Sequence, residues 1–336
     1  MKAPLLQARG VSVRYAVGGG RTWSRRWLTA VDGASLTLEA GETVGLVGES
    51  GCGKSTLGRA LLGLARVHAG SVLLAGERID RATGGRLRAL RRNIQMVFQD
   101  PLASLDPRMT VGESIAEPLW IHEPQLGQKA LRLRVAEVLE RVGLAPGHAE
   151  RYPHEFSGGQ CQRVGIARAI VLRPGVIVCD EPVSALDVSV QGQVVNLLSD
   201  LQRDLGVAYL FISHNLAVVR HVSRNVMVMY LGQTVEAASR DALYERPLHP
   251  YTRGLLDSVP AADPAAERPR RSAALQGELP SPLRPPGGCV FSSRCPRAET
   301  RCRSRRPELV EASPGHWVAC HRREEWPDGL KPASHS

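Results

Sequence analysis

Long apolar runs are missing from this sequence. No stretch approaches the ~18 residues that cross a bilayer as a helix; the longest candidates, VIVC and AYLFI, are strand-sized. The opening residues, MKAPLLQARG, lack the apolar segment of a secretory leader, so the chain is expected to stay in the cytosol. Aromatic residues are scarce, at 4% of the chain, and those that usually interleave with nucleic-acid-binding basic patches are wanting. Cysteine is sparse too. Of seven, four fall at 289, 295, 302 and 320, and in a cytosolic chain a disulfide is their least expected use.

Acidic residues are outnumbered, 33 Asp and Glu against 43 Lys and Arg, for a net charge of +10. That excess invites anionic partners such as nucleotide, nucleic acid or a phospholipid surface, although a solvated basic face explains it as well. Hydrophobic residues make up 43% of 336, enough for a substantial core in one large domain or two modest ones.

The chemistry begins at ETVGLV, residues 42–47, which runs as a strand into GESGCGKST and then a helical LGRALLGL. This strand–loop–helix context is what the GxxxxGK[ST] motif requires. Gly48, Gly51 and Gly53 let successive backbone N–H groups turn inward towards phosphate oxygens, and the following helix adds its positive end. Lys54 reaches the outer phosphates and Ser55 can ligate Mg²⁺, while Ser50 and Thr56 complete the ATP-binding cradle. Cys52 fills a variable position. A second strand, VIVCDEP, ends in two acids at the ligand-bearing edge of an open sheet. Asp180 is placed to hold Mg²⁺, and Glu181 to polarise the attacking water as general base.

Between these motifs, EFSGGQCQRVGIARAI, residues 155–170, resembles the signature of ABC transporter ATPases, with Phe156 in place of the usual leucine. The resemblance extends to other elements in the family's order. Gln99 in MVFQDP matches the Q-loop, SALD ending at Asp187 the D-loop, and His214 in FISHN the switch histidine. Tyr15 stands where the family stacks an aromatic on adenine, with Trp23 and Trp27 as competitors. The resemblance implies head-to-tail dimers, in which Ser157, Gly158, Gly159 and Gln160 act on the nucleotide held by the partner. It also implies an α/β fold: an ABC ATPase core with a mixed, RecA-like sheet, an antiparallel β subdomain and a helical subdomain at about 100–170. That subdomain is read as helices broken by Pro118, Pro124 and Pro146.

QMVFQDPLASLDPRMTVGESIAEPL and HPYTRGLLDSVP resemble the ATP-binding subunits of dipeptide and oligopeptide importers, with nickel importers closely related. HPYT reads as a short helix packed on the core, and RLRALRR as the exposed face of a helix. The resemblance implies two membrane permeases, a second ATP-binding subunit in a heterodimer, an extracytoplasmic binding protein, and a peripheral place on the cytoplasmic face of the membrane. No nucleic-acid partner is expected. Soluble ABC ATPases of translation or repair carry two cassettes or a long coiled coil, and neither pattern is present.

The ATPase domain is expected over 1–259, a Pro-rich linker over 260–288, and a small cysteine-rich tail domain over 289–336. The spacing C-x5-C-x6-C-x17-C is looser than zinc knuckles or ferredoxin runs. Four thiols in a small polar segment argue for a metal. Resemblance to importer tails implies a [4Fe–4S] cluster on Cys289, Cys295, Cys302 and Cys320, with Zn²⁺ recruiting His316 or His321 as the alternative. Cys161 and Cys179 read as core fillers.

Overall fold

The computed structural model describes residues 4–18, 26–258 and 277–323; Trp23 and most of the Pro-rich stretch lie outside them. Strands β3 (Thr43–Val47), β7 (Val176–Asp180) and β8 (Ala208–Ser213) are buried along their whole length. Their unbroken apolar, β-branched character is what a parallel sheet covered on both faces demands. With β6 (Ile94–Val97) and β9 (Asn225–Tyr230) they run parallel in the order β9-β3-β8-β7-β6. Motifs that follow these strands therefore emerge at one edge.

A second, antiparallel sheet is ordered β2-β1-β4-β5, built from β1 (Leu6–Val17), β2 (Arg26–Leu38), β4 (Ala69–Leu74) and β5 (Glu77–Arg78). Helix α1 (Lys54–Leu61) joins the two sheets. Its Leu57 and Leu61 share one apolar cluster with Leu6 and Leu74 of the antiparallel sheet and with Leu46 and Leu210 of the parallel one. Helix α2 (Gly84–Arg91) buries no residue, as the arginine run predicts.

The helical part comprises α3 (Val111–His122), α4 (Gln128–Arg141) and α5 (Gly158–Ile170), packed on one another. Here one expectation is corrected: Pro118 does not break a helix but sits inside α3. The ring removes one backbone N–H, a loss usually worth ~3 kcal/mol. Two features offset it. Val111, Ile115 and Leu119 bury one face of the helix, and a capping box closes its start. In that box Thr110 Oγ1 accepts from the Glu113 N–H at 3.2 Å, and the Glu113 carboxylate accepts from the Thr110 N–H at 2.7 Å. Pro124 lies just past the helix end and Pro146 opens a 3₁₀ turn, so those two do mark breaks.

The HPYT segment is the start of α9 (Pro250–Asp257), capped by His249, whose Nδ1 accepts from the Tyr251 N–H at 3.1 Å. The cysteine-bearing tail, expected as a small unit of its own, instead continues the main sheet. Strand β12 (His316–Val318) pairs antiparallel with β10 (Gln233–Ser239), which flanks β9, and β11 (Val310–Ser313) adds outside it. Alternation drives this pairing: His316 and Val318 turn inward and Trp317 outward. The fully buried Glu236 carboxylate fixes the register. It lies 2.7 Å from His316 Nε2 and accepts from the N–H groups of Leu248 (2.6 Å) and His249 (3.0 Å).

Candidate active site

Four of the five parallel strands deliver polar residues to the same edge: β3 the phosphate loop, β6 Gln99, β7 Asp180 and Glu181, and β8 His214. The loop is shaped by steric need. Gly53 has φ 104°, and a Cβ there would stand 2.1 Å from the Ala30 carbonyl oxygen. Gly48 is equally intolerant, since its Cβ would meet Met229 O at 2.2 Å. The buried Lys54 Nζ donates to the carbonyls of Gly48 (2.7 Å) and Glu49 (3.0 Å). Ser55 Oγ donates to Asp180 Oδ1 at 2.7 Å, which brings together the two residues expected at Mg²⁺.

Burial pushes the Asp180 carboxyl above the ordinary carboxylate value, and the neighbouring Glu181 charge adds to the rise. The Ser55 hydroxyl, Arg59 and Lys54 oppose it. Glu181 itself adopts φ 47°, a left-handed conformation costly for a residue with a side chain. Its Oε2 accepts from Gln99 Nε2 at 3.2 Å and lies 3.1 Å from His214 Nδ1, while Oε1 is 4.0 Å from Lys54 Nζ. Five of the residues singled out in the sequence thus meet within hydrogen-bonding chains around one carboxylate and one hydroxyl.

A pocket of about 260 Å³ opens here, lined by Tyr15, Ser50, Gly51, Gly53, Lys54, Ser55 and Thr56 together with Gln99 and Glu181. Tyr15 is therefore at the pocket, whereas Trp27 packs edge-on to His68 and does not line it. Ser157, Gly158, Gly159 and Gln160 do not line it either. They open α5 with a capping box of their own: Ser157 Oγ accepts from the Gln160 N–H, and Gln160 Oε1 accepts from the Ser157 N–H. Phe156 keeps its anchoring role, packed edge-on against His148 at 5.4 Å. Asp187 occupies the N-cap position of α6 (Val188–Leu205) without making the cap bond.

Some residues at this site give no sequence signal. The Glu49 N–H donates to Tyr251 Oη at 2.8 Å, and the Glu49 carboxylate is gripped by Arg294 from the far end of the chain. Pro282 also lines the pocket, from a stretch expected to be linker.

The four tail cysteines line a cavity of about 20 Å³ beside His249 and Phe291. Burial pushes Cys289 and Cys320 up to about 11, and raises Cys295, so all three are neutral thiols at pH 7. Among the described residues no group of three or more His, Cys, Asp or Glu is arranged to hold a metal ion. His316 is engaged by Glu236, and His321 Nε2 lies 2.9 Å from the Arg305 carbonyl oxygen. Cys161 and Cys179 are buried in the core as expected.

A family profile described as ABC transporter matches residues 31–184, and one described as Oligopeptide/dipeptide transporter, C-terminal region, matches residues 235–302. The Oligopeptide transport ATP-binding protein OppF of Escherichia coli K12 is 52% identical over 319 residues, covering 94% of this chain and 95% of that protein. The Di/tripeptide transport ATP-binding protein DppF of Pseudomonas aeruginosa is 51% identical over 322 residues, 96% of this chain and 98% of that one. Among solved structures, a dimeric post-hydrolysis state of the ATP-binding cassette MJ0796 bound to ADP and Pi is similar at a TM-score of 0.63 and 27% identity, over 70% of this chain and 98% of that chain. The chain belongs to the ABC transporter ATPases, in their oligopeptide/dipeptide branch.

Proposed function

We propose that this chain is the ATP-hydrolysing subunit of an importer of di- and oligopeptides, held on the cytoplasmic face of the cell membrane. The observation that carries the reading is the pair of contact sets, Ser55–Asp180 and Gln99–Glu181–His214, at a pocket of about 260 Å³ lined by the phosphate loop. Ser55 and Asp180 would hold Mg²⁺, which would supply positive charge against that of the phosphates. Lys54 turns its ammonium from the loop carbonyls to those phosphates. Glu181, oriented by Gln99, takes a proton from water as the water oxygen bonds to the γ-phosphorus. The bond from that phosphorus to the β–γ bridging oxygen breaks, leaving ADP and phosphate, and His214 steadies the γ-phosphate.

Ser157 and its helix terminus lie off the chain's own pocket, which supports the head-to-tail pair, with a second ATP-binding subunit supplying the missing signature. A groove of about 720 Å³ between core and helical part, lined by apolar Leu64, Met96, Phe98 and Ile121 among arginines, suits one short helix of a permease subunit, the second permease docking on the partner ATPase. Gln99 lines both this groove and the nucleotide pocket, so it can report one to the other. No helix among the described residues is long and apolar enough to cross a membrane. An extracytoplasmic binding protein would select the peptide.

The thiol cavity suits a [4Fe–4S] cluster in donor chemistry, since such a cluster takes one thiolate at each of four irons. Cys289, Cys295, Cys302 and Cys320 would hold it, after losing their protons and widening a cavity now sized for one water. His316 is engaged by Glu236, so a Zn²⁺ held there instead would draw on the same four thiols. Anaerobically purified protein should contain iron and sulfide; a colourless, metal-free protein would reject the cluster. For transport, uptake of labelled dipeptide, longer peptide and nickel by cells carrying wild type or Glu181→Gln tests the reading. Loss of peptide uptake alone is expected. Loss of nickel uptake alone would move the chain to the nickel importers, and no loss at all would end the importer reading.

A further inference from the structure

The C-terminal stretch reaches the nucleotide site twice, through Pro282 at the pocket and through Arg294 behind the phosphate loop. Arg294 precedes Cys295, and its guanidinium makes a two-pronged grip on Glu49: Nη1 to Oε2 at 2.7 Å and Nη2 to Oε1 at 3.0 Å. Its side chain is 6% exposed and that of Glu49 26%. The guanidinium also faces the Tyr230 ring at 5.9 Å. Tyr230 packs with Tyr251 and Phe291, so the arginine is braced by a ring cluster rather than free to wander.

Glu49 is the second residue of the phosphate loop and is held on every side. Its N–H goes to Tyr251 Oη, its carboxylate to Arg294, and its carbonyl accepts from Lys54 Nζ at 3.0 Å and the Cys52 N–H at 3.3 Å. An acid here is an awkward choice for a loop that must receive phosphates, because like charges at short range repel. Arg294 turns that carboxylate away from the cradle and neutralises it.

We propose that Arg294 is a positioning residue for nucleotide: by gripping Glu49 it sets the charge and shape of the phosphate loop, and so ties nucleotide affinity to the order of the cysteine-bearing tail. This rests on nucleotide binding at that loop. By reciprocity, whatever Arg294 lends to ATP affinity, ATP lends to the seating of Arg294. The tail is then part of the nucleotide site, not an appendage to it.

The test is the binding of a fluorescent ATP analogue to full-length protein and its variants. Arg294→Ala should raise Kd roughly tenfold, the middle of the usual range for coupled sites. Arg294→Lys, which keeps charge but not the fork, should fall between it and wild type. The double variant Glu49→Gln/Arg294→Gln should recover to within about threefold of wild type, because the repelling carboxylate is gone. A purely structural role predicts no such rescue.

Hydrogen exchange over residues 289–304 should slow on ATP addition in wild type and not in Arg294→Ala. An Arg294→Ala Kd within twofold of wild type, or a double variant no better than the single one, overturns the proposal. Lys54→Ala separates the two failures. If it binds the analogue as wild type does, the phosphate-loop reading itself is at fault.

Discussion

The phosphate loop and the cysteine tail are both small polar devices hung on one sheet, and they are made in opposite ways. The loop is made by backbone: consecutive residues, glycines where a Cβ would strike a carbonyl, and a lysine parked on two carbonyl oxygens. The tail is made by side chains, with four thiols brought from separate turns to one cavity and a strand added at the sheet edge. The loop's course is set by its own backbone and glycines, although Glu49 within it is held by the distant Tyr251 and Arg294. A device of the second kind depends on distant partners. The contrast also marks where strain is kept: left-handed Glu181 and buried Asp180 sit at the loop's edge.

The sharpest way to break that contrast is at the acid. Glu181→Gln should lower turnover by about 10²–10⁴-fold while ATP still binds, the usual worth of a general base. Phosphate release alongside ATP binding checks it, and turnover near wild type would remove Glu181 from that role. Next comes the backbone itself. Gly53→Ala forces a Cβ against the Ala30 carbonyl at an unfavourable φ, and should cost on the order of 2–4 kcal/mol of stability in a denaturant titration. If it is tolerated, the loop is softer than its geometry implies.

The tail gives a smaller effect that depends on which way a side chain points. Val318→Ala empties a fully buried site on β12 and should cost about 1–2 kcal/mol, whereas Trp317→Thr on the neighbouring outward position should change stability by less than about 0.5 kcal/mol. Equal costs would mean that β12 is not seated as a strand.

The smallest effect has the opposite sign. The folded Asp180 holds its proton above the ordinary value of 3.8. Its contribution to stability is therefore complete below about pH 4 and lost as pH rises through the raised value, so at neutral pH the ionised group is a burden. Asp180→Asn should raise the melting temperature of the nucleotide-free protein by a few degrees near pH 7, with the gain shrinking on acidification, while Mg²⁺-dependent hydrolysis is lost. A melting temperature that falls instead would show that Ser55, Arg59 and Lys54 outweigh burial.

What could be read in the sequence follows from the same division. GESGCGKST, VIVCDEP and FISHN each put chemistry and its strand in adjacent residues, so site, edge and fold were legible together. The contact of Glu49 with Arg294 spans 245 positions and leaves no local mark. Pro118 misled because propensity is a local rule, and α3 is held by burial and its capping box. The tail misled because three residues, His316–Val318, are too few for a visible alternation, and their partner strand lies far back in the chain. The metal expectation came from four thiols in a short polar segment and from a resemblance to importer tails, and neither fixes where the sulfurs stand.

The late pairing of β12 has a consequence for how the protein is made. Strand β10 emerges from the ribosome with one side already matched by β9, while its other side stays bare until β12 appears, roughly eighty residues later. At ordinary synthesis rates of about 5–20 residues per second that interval lasts some seconds. Throughout it a nearly finished ATPase offers an open strand edge and a Glu236 still lacking His316, an invitation to the wrong neighbour that only the last few dozen residues withdraw.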